Sequence, residues 1–521
     1  MSPPYTAITF APVQGFIEKS RKLRDLYGSS FILSYIAHSL CQDIKAKLGE
    51  QAIISPALLN LAQGTPNIIL IQGEYSETDA RQSVKKAWNS IAQGVRQWIE
   101  DRVKDKNGRA YRYTWEREWN QWINHTWEFF YAKGDSITEA RQKLSEVKRQ
   151  RDWTGINWKG ESSTLSGADG IAWADMGATH PLNPNPDAAI KSFYKDLSNI
   201  ASESLITPRE QLSIPELIKR LITREDIATK VIGLGKKDLP ESFAELAEDP
   251  QGMGWFQGDG DRMGKYLAKL ANNPSSEADN IRKFSKALRE WGKNTLEASI
   301  NQNIGRIIYA GGDDFLGVFF DNKNNLKPQT CLNWFYKFRD QVWNQHTYGS
   351  EITVSVGFVW SAKNVPQRDV LQHCREAEKS AKSNGRDRLA LRVLFSGGNY
   401  LEWVCPWWML EDVLEAYSDR SGGKNWTHIY NDIATLESRH AFDNKQTEVA
   451  LALFELYFGA ENRQKITTNR WNSETNSGIL GEKSDYLRRN SDQEDVARVN
   501  VAINNWIINL AKIGFHLCSS T

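Results

Sequence analysis

Apolar and polar positions alternate along the chain in two blocks of the same order. In the first block, Tyr5 to Phe10 reads as a short strand ended by Pro12. A long helical pattern follows from about Gln14 to Lys47, with Phe16, Leu23, Leu26, Leu33, Ile36 and Leu40 on one side. Short apolar runs at Ala52–Ile54 and Asn67–Gln72, set off by Gly and Pro, predict two further strands. A second helix covers about Glu77 to Val103, and Trp127–Tyr131 is the last strand. The order β-α-β-β-α-β is the split βαβ of a ferredoxin-like domain.

The second block repeats it. A strand at Gly254–Phe256 runs into Gly258-Asp-Gly-Asp-Arg-Met-Gly264, and a helical region spans Ser276 to Ile300. Strands at Arg306–Ala310 and Phe315–Phe320 are joined by a turn, Gly311-Gly-Asp-Asp314. A helix around Leu332–Trp343 and a strand at Ile352–Trp360 complete the set. A further helix, Pro366 to Ser383, stops at Asn384-Gly385 before the strand Leu389–Phe395. Between the blocks, a charged helix from Ser136 to Arg151 leads into a Gly-, Ser- and Pro-rich stretch, Gly160–Asp187, that contains Asn183-Pro-Asn-Pro and reads as a linker. A helix near Pro215–Leu221 closes it. From about Tyr400 the pattern reads helical, with a polar insertion from Ala460 to Asp495. The last helix, Val501 to Leu517, puts Ile503, Trp506, Ile507, Leu510 and Ile513 on one docking face. The predicted fold class is α+β. Residues 1–135 and 251–398 form two ferredoxin-like domains, 136–250 a small helical linker domain and 399–521 a helical bundle.

Composition adds exclusions. A net charge of +1 means that any nucleic-acid contact must come from local patches. The five cysteines form no C-x-x-C pair, which excludes a disulfide framework and fits a reducing compartment. The first residues carry no basic segment followed by an apolar one, and no run of about 18 apolar residues occurs, so a cytoplasmic protein without a membrane span is expected. The 20 Trp, many beside charges as in Trp115-Glu-Arg-Glu-Trp119, are assigned to buried packing or subunit contact.

Two acidic clusters carry the chemistry. Asp259 and Asp261 lie two apart at a strand end, so their side chains are expected on one face. Asp313 and Asp314 follow Gly311 and Gly312 in a hairpin turn, and the proposed fold makes the two strands neighbours. Gly and Asp are turn residues in any case, so the turn alone would be ambiguous. With Asp259 one strand-helix unit upstream, the carboxylates converge as hard oxygen ligands for two Mg²⁺ or Mn²⁺ ions, which suits nucleotidyl transfer from a nucleoside triphosphate. Gly311 and Gly312 permit positive φ and close approach of a nucleotide. Gly258–Gly264 is not a P-loop, because Tyr266 follows Lys265 where Ser or Thr is required. Lys382, in the last turn of its helix, and Arg386, just past the stop, are candidates for the β- and γ-phosphates, although cations at a helix C-terminus also stabilise it for ordinary reasons.

Read together, these residues resemble a family: the large polymerase-like subunit of type III CRISPR effector complexes, closest to its type III-B form. Ala11-Pro-Val-Gln-Gly-Phe-Ile17, Arg21-Lys-Leu-Arg-Asp-Leu26 and Gly28-Ser-Ser30 are similar to its opening signature. Asp259-Gly-Asp-Arg-Met-Gly264, Tyr309-Ala-Gly-Gly-Asp-Asp314, Ser355-Val-Gly357, Ala381-Lys382, Gly385-Arg-Asp387 and Ser396-Gly397 follow in the family's order. The resemblance implies two palm domains facing one another with ATP between them. It implies synthesis of cyclic oligoadenylate once guide RNA pairs with target RNA, beside sister subunits that include a helical small subunit. By position, Asp259, Asp313 and Asp314 would be catalytic and, with Asp261, hold metal. Lys382 and Arg386 would contact phosphates, with Ser355 and Ser396 near the nucleotide. The first palm has Gly64-Thr-Pro-Asn67 in its hairpin and would be silent, its Gly28, Ser29 and Ser30 either lining a second nucleotide or packing helices.

Two departures from the family bear on activity. No His of the eight is followed by Asp and the palm signature starts near Met1, so the family's histidine-aspartate DNase is expected to be absent. Ser163, Ser166, Ser213 and Glu216 stand where zinc-knuckle thiolates would, so no structural zinc is expected. The alternatives are a non-enzymatic scaffold of the same complex and a diguanylate-cyclase-like enzyme using GTP, whose motif ends Glu-Phe where this chain has Asp314-Phe315.

Overall fold

Every residue of β1 (Tyr5–Ala11) but the last is buried, which only a central strand covered on both faces allows. The computed structural model describes residues 4–62, 64–151, 155–158, 160–178, 186–239, 252–271, 276–321, 326–362, 364–443, 446–469, 478–481 and 492–519. Its contacts divide the chain into two compact units. One comprises Met1–Glu248, Gly264–Gly292 and Ile308–Gly312, and the other Asp249–Met263, Lys293–Ile307 and Asp313–Thr521.

In the first unit β1 is followed by α1 (Val13–Glu18), α2 (Leu23–Leu48), β2 (Ile53–Ser55), β3 (Ile69–Gln72), α3 (Glu77–Arg102), α4 (Glu116–His125), β4 (Glu128–Gly134) and α5 (Ile137–Arg149). The strands pair antiparallel in the order β2-β3-β1-β4, the ferredoxin-like arrangement. The single long helix expected from Gln14 to Lys47 is two. Asp25 accepts from the backbone N–H groups of Arg21 and Lys22, starting a new helix after the break. Then come α6 (Asp187–Ala201), α7 (Ile214–Leu221) and α8 (Glu225–Ile232).

The described part of Gly160–Asp187 is not a free linker. Ser162 bridges to Gly170 and Ile171 to Ser213, and Ile171, Ala172 and Ala174 are buried. Residues 183–185 of the Asn-Pro-Asn-Pro run lie outside the described residues. The four serine and glutamate positions do converge. Glu216 Oε1 accepts from Ser163 Oγ (3.2 Å) and the Ser166 N–H (3.1 Å), and its Oε2 from the Ser213 N–H (2.7 Å). Ser213 and Glu216 thereby form the capping box of α7.

The helical region expected from Ser276 to Ile300 forms α10 (Glu277–Trp291), and α9 (Met263–Leu270) precedes it, both within residues 251–398 assigned to the second ferredoxin-like domain. Their Leu267, Leu270, Ala278 and Ile281 instead join a core of Tyr5, Ala7, Ile54, Leu70, Phe130, Ile137 and Leu144 in the first unit.

The second sheet has the order β10-β9-β8-β5-β7-β6. It is built from β5 (Met253–Gly260), β6 (Gly305–Ala310), β7 (Phe315–Phe319), β8 (Val354–Ser361), β9 (Arg388–Leu394) and β10 (Tyr400–Pro406). Its β8-β5-β7-β6 portion repeats the order of the first sheet, and β9 joins parallel to β8. Helices α11 (Pro328–Lys337) and α12 (Gln367–Ser383) connect these strands. The helical reading from Tyr400 fails at its start. Tyr400–Pro406 is a strand antiparallel to β9, because Ser396-Gly-Gly-Asn399 turns the chain back.

Helices α13 (Trp407–Ala416), α14 (Thr427–Ser438), α15 (Glu448–Thr468) and α16 (Asp492–Cys518) follow. The insertion expected from Ala460 is therefore helical through Thr468, after a break at Gly459. The α16 residues Ile503, Trp506, Ile507, Leu510 and Ile513 are buried as their spacing predicts. Trp88, Trp115, Trp119, Trp255, Trp343, Trp403 and Trp426 are nearly wholly buried, which assigns them to packing. Among the described residues no helix is long and apolar enough to cross a membrane.

Candidate nucleotidyl-transfer site

The site forms where β5 ends. Gly258 leaves room for the Phe315 ring, since a Cβ there would lie 2.2 Å from it. The Gly260 N–H then donates to the Asp313 carbonyl (3.2 Å), tying the strand end to the turn before β7. Asp313 and Asp259 are thus side by side. Burial first, then the charges of Asp259 and Asp314, push the Asp313 carboxyl well above the usual carboxylate range. Neighbouring carboxylates only partly reached by water resist ionising together, and the arrangement calls for a cation.

That cation is partly supplied by the chain. Lys382, in the last turn of α12, bonds Asp259 through its ammonium and also Glu378 Oε1 at 2.7 Å. Burial draws the Lys382 pKa down, but Asp259 and Glu378 outweigh it and hold it above its ordinary value. Burial raises the Glu378 carboxyl, and Lys382 only partly offsets that.

Asp261 takes a different place from Asp259. It is buried, its Oδ1 accepting from Ser355 Oγ (2.7 Å) and its Oδ2 from Thr353 Oγ1 (2.8 Å) and the Asp387 N–H (2.9 Å). Its oxygens tie the ends of β5, β8 and the turn before β9 together. Ser355 is fully buried behind this contact. Arg386 sits in a turn in which Gly385, Arg386 and Asp387 all have positive φ (119°, 65° and 51°), a run that L side chains rarely adopt. Arg339 holds Asp387 from the other side through two bonds of 3.2 and 3.1 Å.

The remaining expected positions lie away from the acidic pair or serve the local packing. Ser396 is an exposed residue of the β9–β10 turn. β8 and β9 are parallel and the acidic end is where they start, so the seven residues of β9 put Ser396 at the opposite end of the sheet, roughly 20 Å away. The expectation that Ser396 lies near the nucleotide is corrected accordingly. Gly28 packs helices, since a Cβ there would lie 1.9 Å from the Lys219 carbonyl oxygen of α7. Ser29 donates to the Asp25 carbonyl (2.8 Å), while Ser30 Oγ is buried without a partner. Neither Gly311 nor Gly312 has the positive φ expected of the turn; a Cβ on Gly311 would meet the Tyr309 hydroxyl at 1.8 Å, whereas Gly312 is open.

Sequence reasoning missed Glu378, Thr353 and Arg339. Glu378 alone carried a signal, its i,i+4 spacing to Lys382. Among the described residues no group of three His, Cys, Asp or Glu stands in metal-holding geometry, with the Lys382 ammonium on Asp259. Asp259, Asp313 and Asp314 nevertheless offer the hard oxygens that Mg²⁺ and Mn²⁺ prefer, with Asp259 and Asp313 set side by side where the Gly260 N–H ties the strand end to the turn, so the donor set fits.

Residues 253–390 match the family model described as Cas10/Cmr2, second palm domain, and residues 5–93 match CRISPR-associated protein Cmr2, N-terminal. A CRISPR system Cmr subunit Cmr2 of Pyrococcus furiosus is 22% identical over 313 residues, covering 54% of this chain. The match spans 34% of that protein's length. A type III-B Cmr-beta structure in its apo state has a similar fold, with a TM-score of 0.56 over 96% of this chain and 81% of that one at 11% identity.

Proposed function

Because the chain belongs to the Cas10/Cmr2 family, we propose that it is the large subunit of a type III CRISPR complex that joins ATP into cyclic oligoadenylate. The observation that carries this reading is the Asp259–Asp313 pair with a lysine ammonium already drawn to it. Asp259, Asp313 and Asp314 would hold Mg²⁺ or Mn²⁺, which when bound favours the attacking 3′-hydroxylate and offsets charge on the α-phosphate and the leaving pyrophosphate.

The chain's own groups do the rest. Lys382 and Arg386 bind the β- and γ-phosphates and orient the triphosphate in line with the attacking oxygen. Asp261, with Thr353, Ser355 and the Asp387 N–H as donors, fixes the strand end that presents Asp259. Guide RNA and target RNA act through the assembled complex, and adenine is chosen over guanine on the strength of the family. Incubating the complex with labelled ATP or GTP, Mn²⁺ or Mg²⁺ and target RNA tests this. Oligoadenylate formed only with target RNA is expected. Turnover of GTP in preference to ATP would replace the reading with a diguanylate cyclase, and no product with either nucleotide would leave a scaffold.

A further inference from the structure

Four residues far along the chain are bound to the turn that presents Arg386. Arg388, fully buried at the start of β9, spends its guanidinium on main-chain carbonyls. Its Nε donates to Arg386 O (2.8 Å), Nη1 to Ile479 O (3.2 Å) and Nη2 to Gly478 O (3.0 Å). A planar fork of donors is what lets one side chain tie three carbonyls at once. Ile479 and Leu480 are buried, and the Ile479 N–H donates to the Asn469 carbonyl (3.1 Å) at the end of α15.

The contact continues through backbone alone. A Cβ on Gly385 would lie 2.2 Å from the Gly481 Cα, and one on Gly481 would lie 2.2 Å from the Asn384 carbonyl oxygen. Both glycines have positive φ, 119° and 84°. Burying a guanidinium is costly unless its donors are satisfied, so this cluster is a specific arrangement rather than filler. Three consecutive left-handed residues persist only where the surroundings hold them. Of those surroundings, Asp261 and Arg339 hold Asp387, while Gly478–Gly481 holds Gly385 and, through Arg388, the Arg386 carbonyl.

We propose that Gly478–Gly481 is a strap that sets the 385–387 turn and so aims Arg386, making Arg388 and Gly481 positioning residues for the nucleotide's phosphates. This rests on the reading of Arg386 as a phosphate ligand. The strap belongs to a segment remote in sequence from the acidic residues, so whatever displaces it would alter nucleotide binding without touching Asp259, Asp313 or Asp314.

The test uses the full chain with Gly481→Ala, which puts a Cβ against the Asn384 carbonyl, and the milder Arg388→Lys, which keeps the charge and loses the fork. Hydrogen exchange of the Arg386 and Asp387 amides in the nucleotide-free chain should quicken roughly tenfold, the loss of one or two bonds of about 1 kcal/mol each. Affinity for a non-hydrolysable ATP analogue, read by calorimetry beside Arg386→Ala, should fall in the same direction, with KM for ATP rising more than kcat falls. Unchanged exchange at Arg386 and Asp387 in both variants overturns the strap. So does unchanged analogue binding in both while Arg386→Ala weakens it. If Arg386→Ala itself leaves binding unchanged, the phosphate reading fails instead, a result distinguished by exchange still quickening in the strap variants.

Discussion

Replacing Lys382 by Met should affect metal and nucleotide in opposite senses. The ammonium bonds Asp259, the residue assigned to metal, while the side chains of Lys382 and Asp259 are 26% and 32% exposed. At an effective dielectric near 20, charges ~4 Å apart attract by about 4 kcal/mol, and partial exposure and side-chain entropy cut the net value to about 1–2 kcal/mol. Removing this competitor should tighten Mn²⁺ binding to the nucleotide-free chain by roughly 5- to 30-fold. The same variant lacks the cation proposed for the β- and γ-phosphates, so its affinity for a non-hydrolysable ATP analogue should fall. Titration of free Mn²⁺ by electron paramagnetic resonance reads the first effect and calorimetry the second. Weaker or unchanged Mn²⁺ binding would refute the argument that Lys382 stands in for a cation at Asp259.

Other outcomes follow from the same geometry. Asp313 has a raised folded-state pKa, so the native chain holds a proton that the unfolded chain releases, and the stability this contributes is lost as pH rises from the ordinary carboxylate range through the raised value. Asp313→Asn should therefore melt above the unsubstituted chain at neutral pH in EDTA, with the difference closing as pH falls below about 4; a constant difference across pH would contradict the assignment. Asp25 and Arg220 pair at 2.5 and 3.0 Å with side-chain exposures of 1% and 0%. Asp25→Ala should cost about 3–5 kcal/mol, at the lower end because Glu210 stays 3.3 Å from Arg220, and should appear as a lower melting temperature. Ser396→Ala should leave KM for ATP unchanged while Arg386→Ala raises it, and an equal rise in both would put Ser396 back at the nucleotide.

The central strands and the acidic residues were legible because each rests on local pattern. Runs such as Tyr5–Phe10 and Val354–Val359 are buried on both faces, and the carboxylates sit at strand ends that the βαββαβ order brings together. What escaped depended on distant partners. Asp261 shares Asp259's strand end, yet it is claimed by Thr353, Ser355 and the Asp387 N–H, none predictable from its own spacing. Ser396 followed the family's order of motifs, but the parallel register of β8 and β9 carries it to the other end of the sheet. The assignment of α9 and α10 to the first unit is equally non-local, because their apolar residues pack against Tyr5, Ala7, Ile54 and Leu70, far away in the sequence.

The role proposed for Asp259, Asp313 and Asp314 is nucleotidyl transfer. Chromatography of products from α-labelled ATP tests it most directly, with the assembled complex, Mn²⁺ and target RNA, against the same complex carrying Asp313→Ala and Asp314→Ala. Cyclic 3′–5′-linked oligoadenylate is expected from the unsubstituted complex and none from the double variant, with target RNA binding equal in both. Equal product from the two complexes would contradict it.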